Sequence, residues 1–194
     1  MQPGTHSHFL YLASASPRRS ELLKQLGLRF EICPVDLDET AQLGEAGADY
    51  VRRLALTKAR EAMAPGGAPV LAADTAVVVE NRIFGKPAHQ DDAIHMLSSL
   101  SGRVHEVFTA VAVYDGLREA SRLSRTRVQF RSISKAEMIN YWQTGEPVDK
   151  AGAYAIQGQG AVLIEEIRGS YSGVMGLPLF ETAQLLTDFG FRFL

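Results

Sequence analysis

Leu12-Ala-Ser-Ala-Ser-Pro-Arg-Arg-Ser20 is the stretch where the chain turns from strand to helix, and it sets the reading of everything after it. The apolar run Phe9-Leu-Tyr-Leu-Ala13 leads into it as a strand. Ser14, Ser16 and Pro17 stop that strand and open a helix, because serine suits the N-cap and proline the first helical position. Arg18 and Arg19 follow at once. A helix start already carries partial positive charge, so a cation there costs about 0.3–1 kcal/mol. Two guanidiniums, free backbone N–H groups and two serine hydroxyls in such a place make an anion site suited to a phosphate chain. The plainer alternative is a pair of arginines on a solvated helix face.

Outward from this junction, strands are expected near residues 9–13, 29–33, 69–79, 82–84, 104–114, 122–132 and 161–167. Helices are expected near 17–26, 47–63, 90–100, 134–144 and 177–189. Ala64-Pro-Gly-Gly-Ala-Pro69 breaks helix from strand, and Asp115-Gly116 turns one strand antiparallel onto the next. Strands and helices alternate early and hairpins dominate the middle, so the fold class is α/β with a mixed sheet. No internal repeat or low-complexity tract interrupts it.

The 194 residues are enough for one domain with a sizeable core, and 46% apolar content is ordinary for a globular protein. A net charge of −2 without a long basic block argues against general nucleic-acid binding. Cys33 is the one cysteine, which excludes an intramolecular disulfide and fits a reducing compartment. No stretch approaches the roughly 20 apolar residues of a membrane span. Residues 1–8 lack a basic n-region and an apolar h-region and read as a disordered lead-in, leaving 9–194 as the domain and the cytoplasm as the expected location.

Asp74 is the sharpest single residue. It interrupts the apolar strand Val70-Leu-Ala-Ala-Asp-Thr-Ala-Val-Val-Val79, where a carboxylate needs a cation, a metal or a wet cleft. A salt-bridged core aspartate, or a break in the strand, would also account for it. A turn at Asn81-Arg82 would pair Val79 with Phe84 and Val77 with Lys86, letting Lys86 reach towards Thr75 and Asp74; otherwise it is an exposed loop lysine before Pro87. Lys58 lies on the stripe Val51, Leu54, Ala55, Ala59, Ala62 of the helix 47–63, where most lysines snorkel to solvent. Glu39 closes the acidic group Asp36-Leu-Asp-Glu39, which alone reads as a solvated turn. Asp149 to Gln159 is a glycine-rich loop, and Gln157 carries both a donor and an acceptor that a base edge could use.

Other chemistries find no support. Gly158-Gln-Gly160 is neither a dinucleotide fingerprint nor a P-loop. His6, His8, His89, His95 and His105 lack metal-ligand spacing. One cysteine and no Gly-x-Ser-x-Gly leave nucleophile–histidine catalysis unsupported. Carboxylates and basic residues remain, an inventory suited to metal-assisted attack of water on a polyphosphate.

Ser14-Ala-Ser-Pro-Arg-Arg-Ser-Glu-Leu-Leu23 resembles the signature of the Maf family of nucleoside triphosphate pyrophosphatases. The likeness continues in order through Leu71-Ala-Ala-Asp-Thr75, Gly85-Lys-Pro87, Leu100-Ser-Gly102, Thr109-Ala-Val111, Asp149-Lys-Ala-Gly-Ala-Tyr154, Ile156-Gln-Gly158 and Val174-Met-Gly-Leu-Pro178. The resemblance implies a two-lobed α/β fold around a long mixed sheet with a central cleft, as in inosine triphosphatase-like proteins. It implies that Asp74 is the catalytic base, that Ser14, Arg18, Arg19, Glu39, Lys58, Thr75, Lys86 and Gln157 bind substrate, and that Asp74 and Glu39 hold a divalent cation, Mg²⁺ or Mn²⁺. A homodimer is also implied. The Asp149–Tyr154 and Ile156–Gly158 motifs look like the branch acting on dTTP and UTP, with Arg18, Thr75 and Gln157 as its specificity set. Two other readings stand beside it: a 7-methyl-GTP pyrophosphatase, and a division regulator of septum formation acting through partners.

Overall fold

Val70–Val79 (β3) is the axis of the sheet, and its alternation fixes what lies on each face. The computed structural model describes residues 9–62, 64 and 67–193. The expected lead-in 1–8, the helix end at 63 and part of the Ala64–Pro69 turn lie outside the described residues. The chain runs β1 (Phe9–Leu12), α1 (Pro17–Gln25), β2 (Arg29–Ile32), α2 (Gly47–Glu61), β3, β4 (Arg82–Phe84), α3 (Gln90–Leu100), β5 (Val104–Tyr114), β6 (Glu119–Phe130), α4 (Lys135–Gln143), β7 (Ile164–Arg168), α5 (Tyr171–Met175) and α6 (Leu179–Asp188). The seven strands form one mixed sheet in the order β2-β1-β3-β5-β6-β7, with β4 also on β3. β1 is parallel to β2 and β3; the remaining pairs are antiparallel. The mixed α/β class is as the sequence reads.

Even positions of β3 face α2. Ala72, Ala76 and Val78 pack there with Ala110 and Ala112 of β5 and with Val51, Leu54, Ala55 and Ala59 of α2. These small side chains let the helix sit close. At Gly47 an added Cβ would lie 2.5 Å from Val78 Cγ2, so the first turn of α2 tolerates only glycine without a shift.

Odd positions face the other layer, and there the core is divided. Leu71 and Ala73 pack with Leu22, Leu23, Val111, Val113 and Leu185 in one cluster. Val77 and Val79 pack with Leu97, Leu100, Val107, Phe130 and Met138 in another. Thr75 and Thr109, directly opposite each other across β3 and β5, stand between the clusters, and Ser124 of β6 continues the polar line opposite Thr109. This seam is the waist between two lobes.

β3 is also interrupted along its flank. β1 pairs with it only at Val70 and Leu71, and β4 only from Val77 to Val79. Both partners lie on the flank opposite β5. The main chain of Pro69 and Leu71 points to that flank, since their carbonyls accept from Tyr11 and Ala13. By the two-residue period, so does that of Ala73 and Thr75, where no strand pairs. The middle of β3 therefore floors an open gap.

The hairpin β3–β4 corrects one sequence expectation. The turn residues are Glu80 and Asn81, with φ of 49° and 62°, not Asn81 and Arg82. Positive φ at both central positions is the primed turn that matches strand twist. Val79 therefore pairs with Arg82 and Val77 with Phe84, two residues off the expected register. Lys86 lies two residues beyond the last pair, on the gap side. β6 begins at Glu119, three residues early, and α5 is a short helix the sequence reading missed. No helix among the described residues is long and apolar enough to cross a membrane.

Candidate active site

The gap opens into a cleft of about 820 Å³ that gathers all the candidate site residues. Ser14, Arg18, Arg19, Glu39, Lys58, Asp74, Thr75, Lys86 and Gln157 all line it. Five cations (Arg18, Arg19, Lys58, Lys86, Lys150) face four carboxylates (Asp36, Glu39, Asp74, Asp149), which leaves a local charge of +1 for an anionic ligand.

Asp74 sits at an even position of β3, so its carboxylate points towards α2 and is 5% exposed. Lys58 meets it from the helix, its Nζ donating to Asp74 Oδ1 at 2.7 Å and to Glu39 Oε1 at 2.5 Å. The stripe position that made Lys58 odd in the sequence is explained: the side chain stays inside, tied to two carboxylates, rather than snorkelling. Burial raises the Asp74 carboxyl above its ordinary value against the pull of Lys58 and Arg19. Glu39 goes the other way. Its partial burial pushes it up, but bound Lys58, with Lys86 and Arg19 nearby, brings it below the usual carboxylate range.

Glu39 is placed by Tyr50, whose hydroxyl donates to the Glu39 carbonyl at 2.9 Å. Burial, with the charges of Asp74 and Glu39, pushes the Tyr50 phenol up to about 12, so it stays a donor at neutral pH. Tyr50 was not singled out from sequence. Its spacing of eight from Lys58, with Leu54 midway, was the available signal.

The two arginines divide their work. Arg19 is tied to protein through three of its five N–H donors: Nε donates to the Gly176 carbonyl at 2.8 Å, and its two amino groups donate to Ser14 Oγ and Thr75 Oγ1, each at 3.3 Å. Arg18 makes no hydrogen bond among the described residues and faces the cleft with its guanidinium free. Ser16 is the N-cap of α1 and Pro17 its first residue, but the Ser16 side chain does not cap. The first N–H groups of α1 thus keep their capacity for an anion.

Proton counting across the seam fixes the state of Thr75. Thr109 Oγ1 lies 2.7 Å from the Gly173 carbonyl and 3.0 Å from Thr75 Oγ1. The carbonyl can only accept, so the Thr109 proton goes there and Thr75 donates to Thr109. Thr75 then accepts from Arg19. Thr75 therefore faces the cleft as an anchor for Arg19, its own proton already committed.

Lys86 is exposed at the rim, close enough for its charge to act on Glu39. Gln157 is exposed and lines the cleft together with Asp149, Lys150 and Ile156. Lys150, a cleft cation outside the candidate set, has its pKa lowered by burial and by Arg18, and its Nζ reaches the Val148 carbonyl at 3.2 Å.

The donor set fits a divalent cation shared with a ligand. Among the described residues no three His, Cys, Asp or Glu side chains cluster as a closed metal cage. Asp74 and Glu39 each give only one oxygen to Lys58, which leaves a second oxygen on each. One or two carboxylates completed by phosphate oxygens and water is the way Mg²⁺ is commonly held.

Comparison with known proteins adds to this geometry. The family described as Maf-like protein matches residues 9–189. A protein of Saccharophagus degradans named dTTP/UTP pyrophosphatase is 52% identical over 191 residues, covering 96% of this chain and 91% of that one. One of Methylobacillus flagellatus with the same name is 55% identical over 186 residues, covering 93% and 92%. Among solved structures, a HAM1 protein from Coxiella burnetii shares the fold with a TM-score of 0.51 at 19% identity, over 93% of this chain and 98% of that one.

Proposed function

The chain belongs to the Maf family, and from that premise we propose that it hydrolyses dTTP and UTP to the nucleoside monophosphate and pyrophosphate. The observation that carries the proposal is Asp74: a nearly buried carboxylate with a raised pKa, opening onto a cation-lined cleft. A carboxylate whose pKa is raised is a better proton acceptor than an ordinary one. Water bound beside it attacks the α-phosphorus, forming a new P–O bond. The bond from that phosphorus to the bridging oxygen breaks, its electron pair leaves with pyrophosphate, and the water proton passes to Asp74. Lys58 holds Asp74 and Glu39 in place, and Arg18, Lys86 and the start of α1 take the phosphate charge.

A triphosphate carries roughly −3 to −4 at neutral pH, more than a cleft of net +1 offsets. Asp74 and Glu39 would hold Mg²⁺ or Mn²⁺, which would neutralise phosphate oxygens and polarise the reacting phosphorus. Gln157, exposed and lining the cleft, would read the base. A pyrimidine's carbonyl–NH–carbonyl edge matches its donor–acceptor pair, and a larger purine would displace that edge. The thymine methyl is worth about 1–3 kcal/mol at most, so dTTP and UTP are both accepted. The names of the two relatives favour this branch over 7-methyl-GTP, and no feature of the cleft favours a division regulator acting without catalysis. The single cysteine supports a cytoplasmic setting, and a homodimer is the assembly carried by the resemblance.

The test is product analysis with dTTP, UTP, dGTP and 7-methyl-GTP. Monophosphate and pyrophosphate are expected, with pyrimidines preferred and the rate lost in EDTA. Orthophosphate and diphosphate would place attack at the γ-phosphorus instead. Asp74→Asn should remain folded and lose on the order of 10²–10⁴ in rate; near-normal turnover would reject Asp74 as the base.

A further inference from the structure

Gln157 stands on a short span of chain, and both ends of that span are tied to one pair of side chains. Tyr141, at the end of α4, is 7% exposed. Its hydroxyl donates to Glu146 Oε1 at 2.7 Å and accepts from the Ala155 amide at 3.1 Å. Glu146 in turn accepts from the Gln159 amide through Oε2 and from the Gly160 amide through Oε1, both at 2.8 Å. So the chain before Gln157 is fastened to Tyr141 and the chain after it to Glu146. Ile156, the immediate neighbour, is buried in the core of the first lobe. Glu146 is itself fixed by the turn that ends α4: its amide donates to Thr144 Oγ1, which donates to the Tyr141 carbonyl.

The glycines of the loop are those this clamp demands. Gly158 has φ of +80°, and a Cβ there would lie 2.3 Å from Glu146 Oε2. A Cβ at Gly160 would lie 2.4 Å from the Tyr141 hydroxyl and 2.3 Å from the Ala155 carbonyl. Loop and clamp fit with no room for a side chain between them. By contrast Gln157 is exposed to the cleft, with extended backbone at φ −91° and ψ 153°. A segment pinned at both ends with one amide side chain free in the middle is arranged to hold that amide at a set position.

We infer that Tyr141 and Glu146 are positioning residues that set base selectivity by fixing the backbone on either side of Gln157. This rests on the reading of Gln157 as the base-contacting residue. The chemistry requires a carboxylate at 146. Three donors converge on it, and a carboxylate offers acceptors only, whereas an amide would turn N–H groups against backbone N–H groups. Displacing Gln157 by about 1 Å suffices to mispair a donor–acceptor edge and costs on the order of 10²-fold. A substrate that does not use that edge is spared.

The experiment measures kcat and KM for dTTP and dGTP in the wild type and in Q157A, E146Q, Y141F and E146Q/Q157A, with thermal melting of each. Expected are a fall of roughly 10–100-fold in kcat/KM for dTTP in E146Q and Y141F, a change in dGTP hydrolysis below about 3-fold, and a double variant no worse than Q157A. If E146Q does not fold, Y141F carries the comparison, since it removes the Tyr141–Glu146 hydrogen bond and also frees the Ala155 amide on the other side of Gln157. Equal losses for dTTP and dGTP would mean a general structural role and overturn the inference. Wild-type selectivity in E146Q and Y141F, with Q157A impaired, would overturn the clamp while leaving Gln157 as the base reader. Unchanged selectivity in Q157A would overturn both.

Discussion

Replacing Lys58 with methionine keeps the length of the side chain and removes the cation that Asp74 and Glu39 share. The pair Lys58–Asp74 is close, 2.7 Å, and both side chains are less than a tenth exposed, at 9% and 7%. At that distance and an effective dielectric of about 20, the attraction is roughly 6 kcal/mol. Three things reduce what is felt at Asp74. Lys58 divides its charge with Glu39, which is 45% exposed; Arg19 remains as a second cation near Asp74; and water enters from the cleft. The net effect of losing Lys58 is a further rise in the Asp74 pKa, smaller than that attraction alone would give, because a single adjacent opposite charge no longer favours the ionised form. Asp74 already lies above the ordinary carboxylate value, and the change moves it further in the same direction. The assay is pyrophosphate release from dTTP across about pH 5 to about pH 10. The acid limb of kcat in Lys58→Met should move to higher pH, with partial recovery of rate at alkaline pH. A uniform loss at every pH, with the limb unmoved, would show that Lys58 acts on the phosphates alone and refute the coupling to Asp74.

Two further perturbations test the scaffold. His105 is buried between Phe130 and Tyr154, with Nε2 at 2.8 Å from the Tyr154 hydroxyl, and burial lowers its pKa from 6.5 to about 4. The unfolded chain takes up that proton first, so stability present above about pH 6.5 drains away as pH falls towards about 4. His105→Phe should flatten the melting temperature over that window, and a wild type with no acid slope there would contradict the assignment. Gly47→Ala should lift the start of α2 off Val78, cost about 1–3 kcal/mol in denaturant unfolding, and reduce turnover through Lys58. Full stability would show that the helix yields without strain.

Much of this was legible in order along the chain, because the decisive signals are local. Asp74 stands out in β3 as a charge in an apolar run, and Lys58 as a cation on an apolar helical stripe. The structure joins the two, which neither pattern alone could do. The β4 register was missed because glutamate rarely takes positive φ, so Glu80 did not read as a turn residue. In the residue pattern alone, without the resemblance, the waist does not show, for another reason. Threonine suits a strand, so Thr75 and Thr109 pass as ordinary members of apolar strands until pairing sets them face to face. Tyr141 and Glu146 act on a loop a dozen residues further on, and no periodicity carries such contacts.

The unpaired stretch of β3 has a consequence for how the sheet meets water. A sheet ordinarily has two edges, at its ends. This one has a third in its interior, at Ala73 and Thr75, between the last residue paired with β1 and the first paired with β4. An edge strand is a template for another chain to add to, yet this one spans only a few residues and is walled in by the lobes, so it cannot recruit a strand. What it offers instead is main-chain groups the fold has not consumed, in the middle of its most buried strand. Thr75 lines the cleft, and its amide should exchange with deuterium on the time scale of solvent access and slow only when a ligand covers it, whereas that of fully buried Ala73 should exchange more slowly.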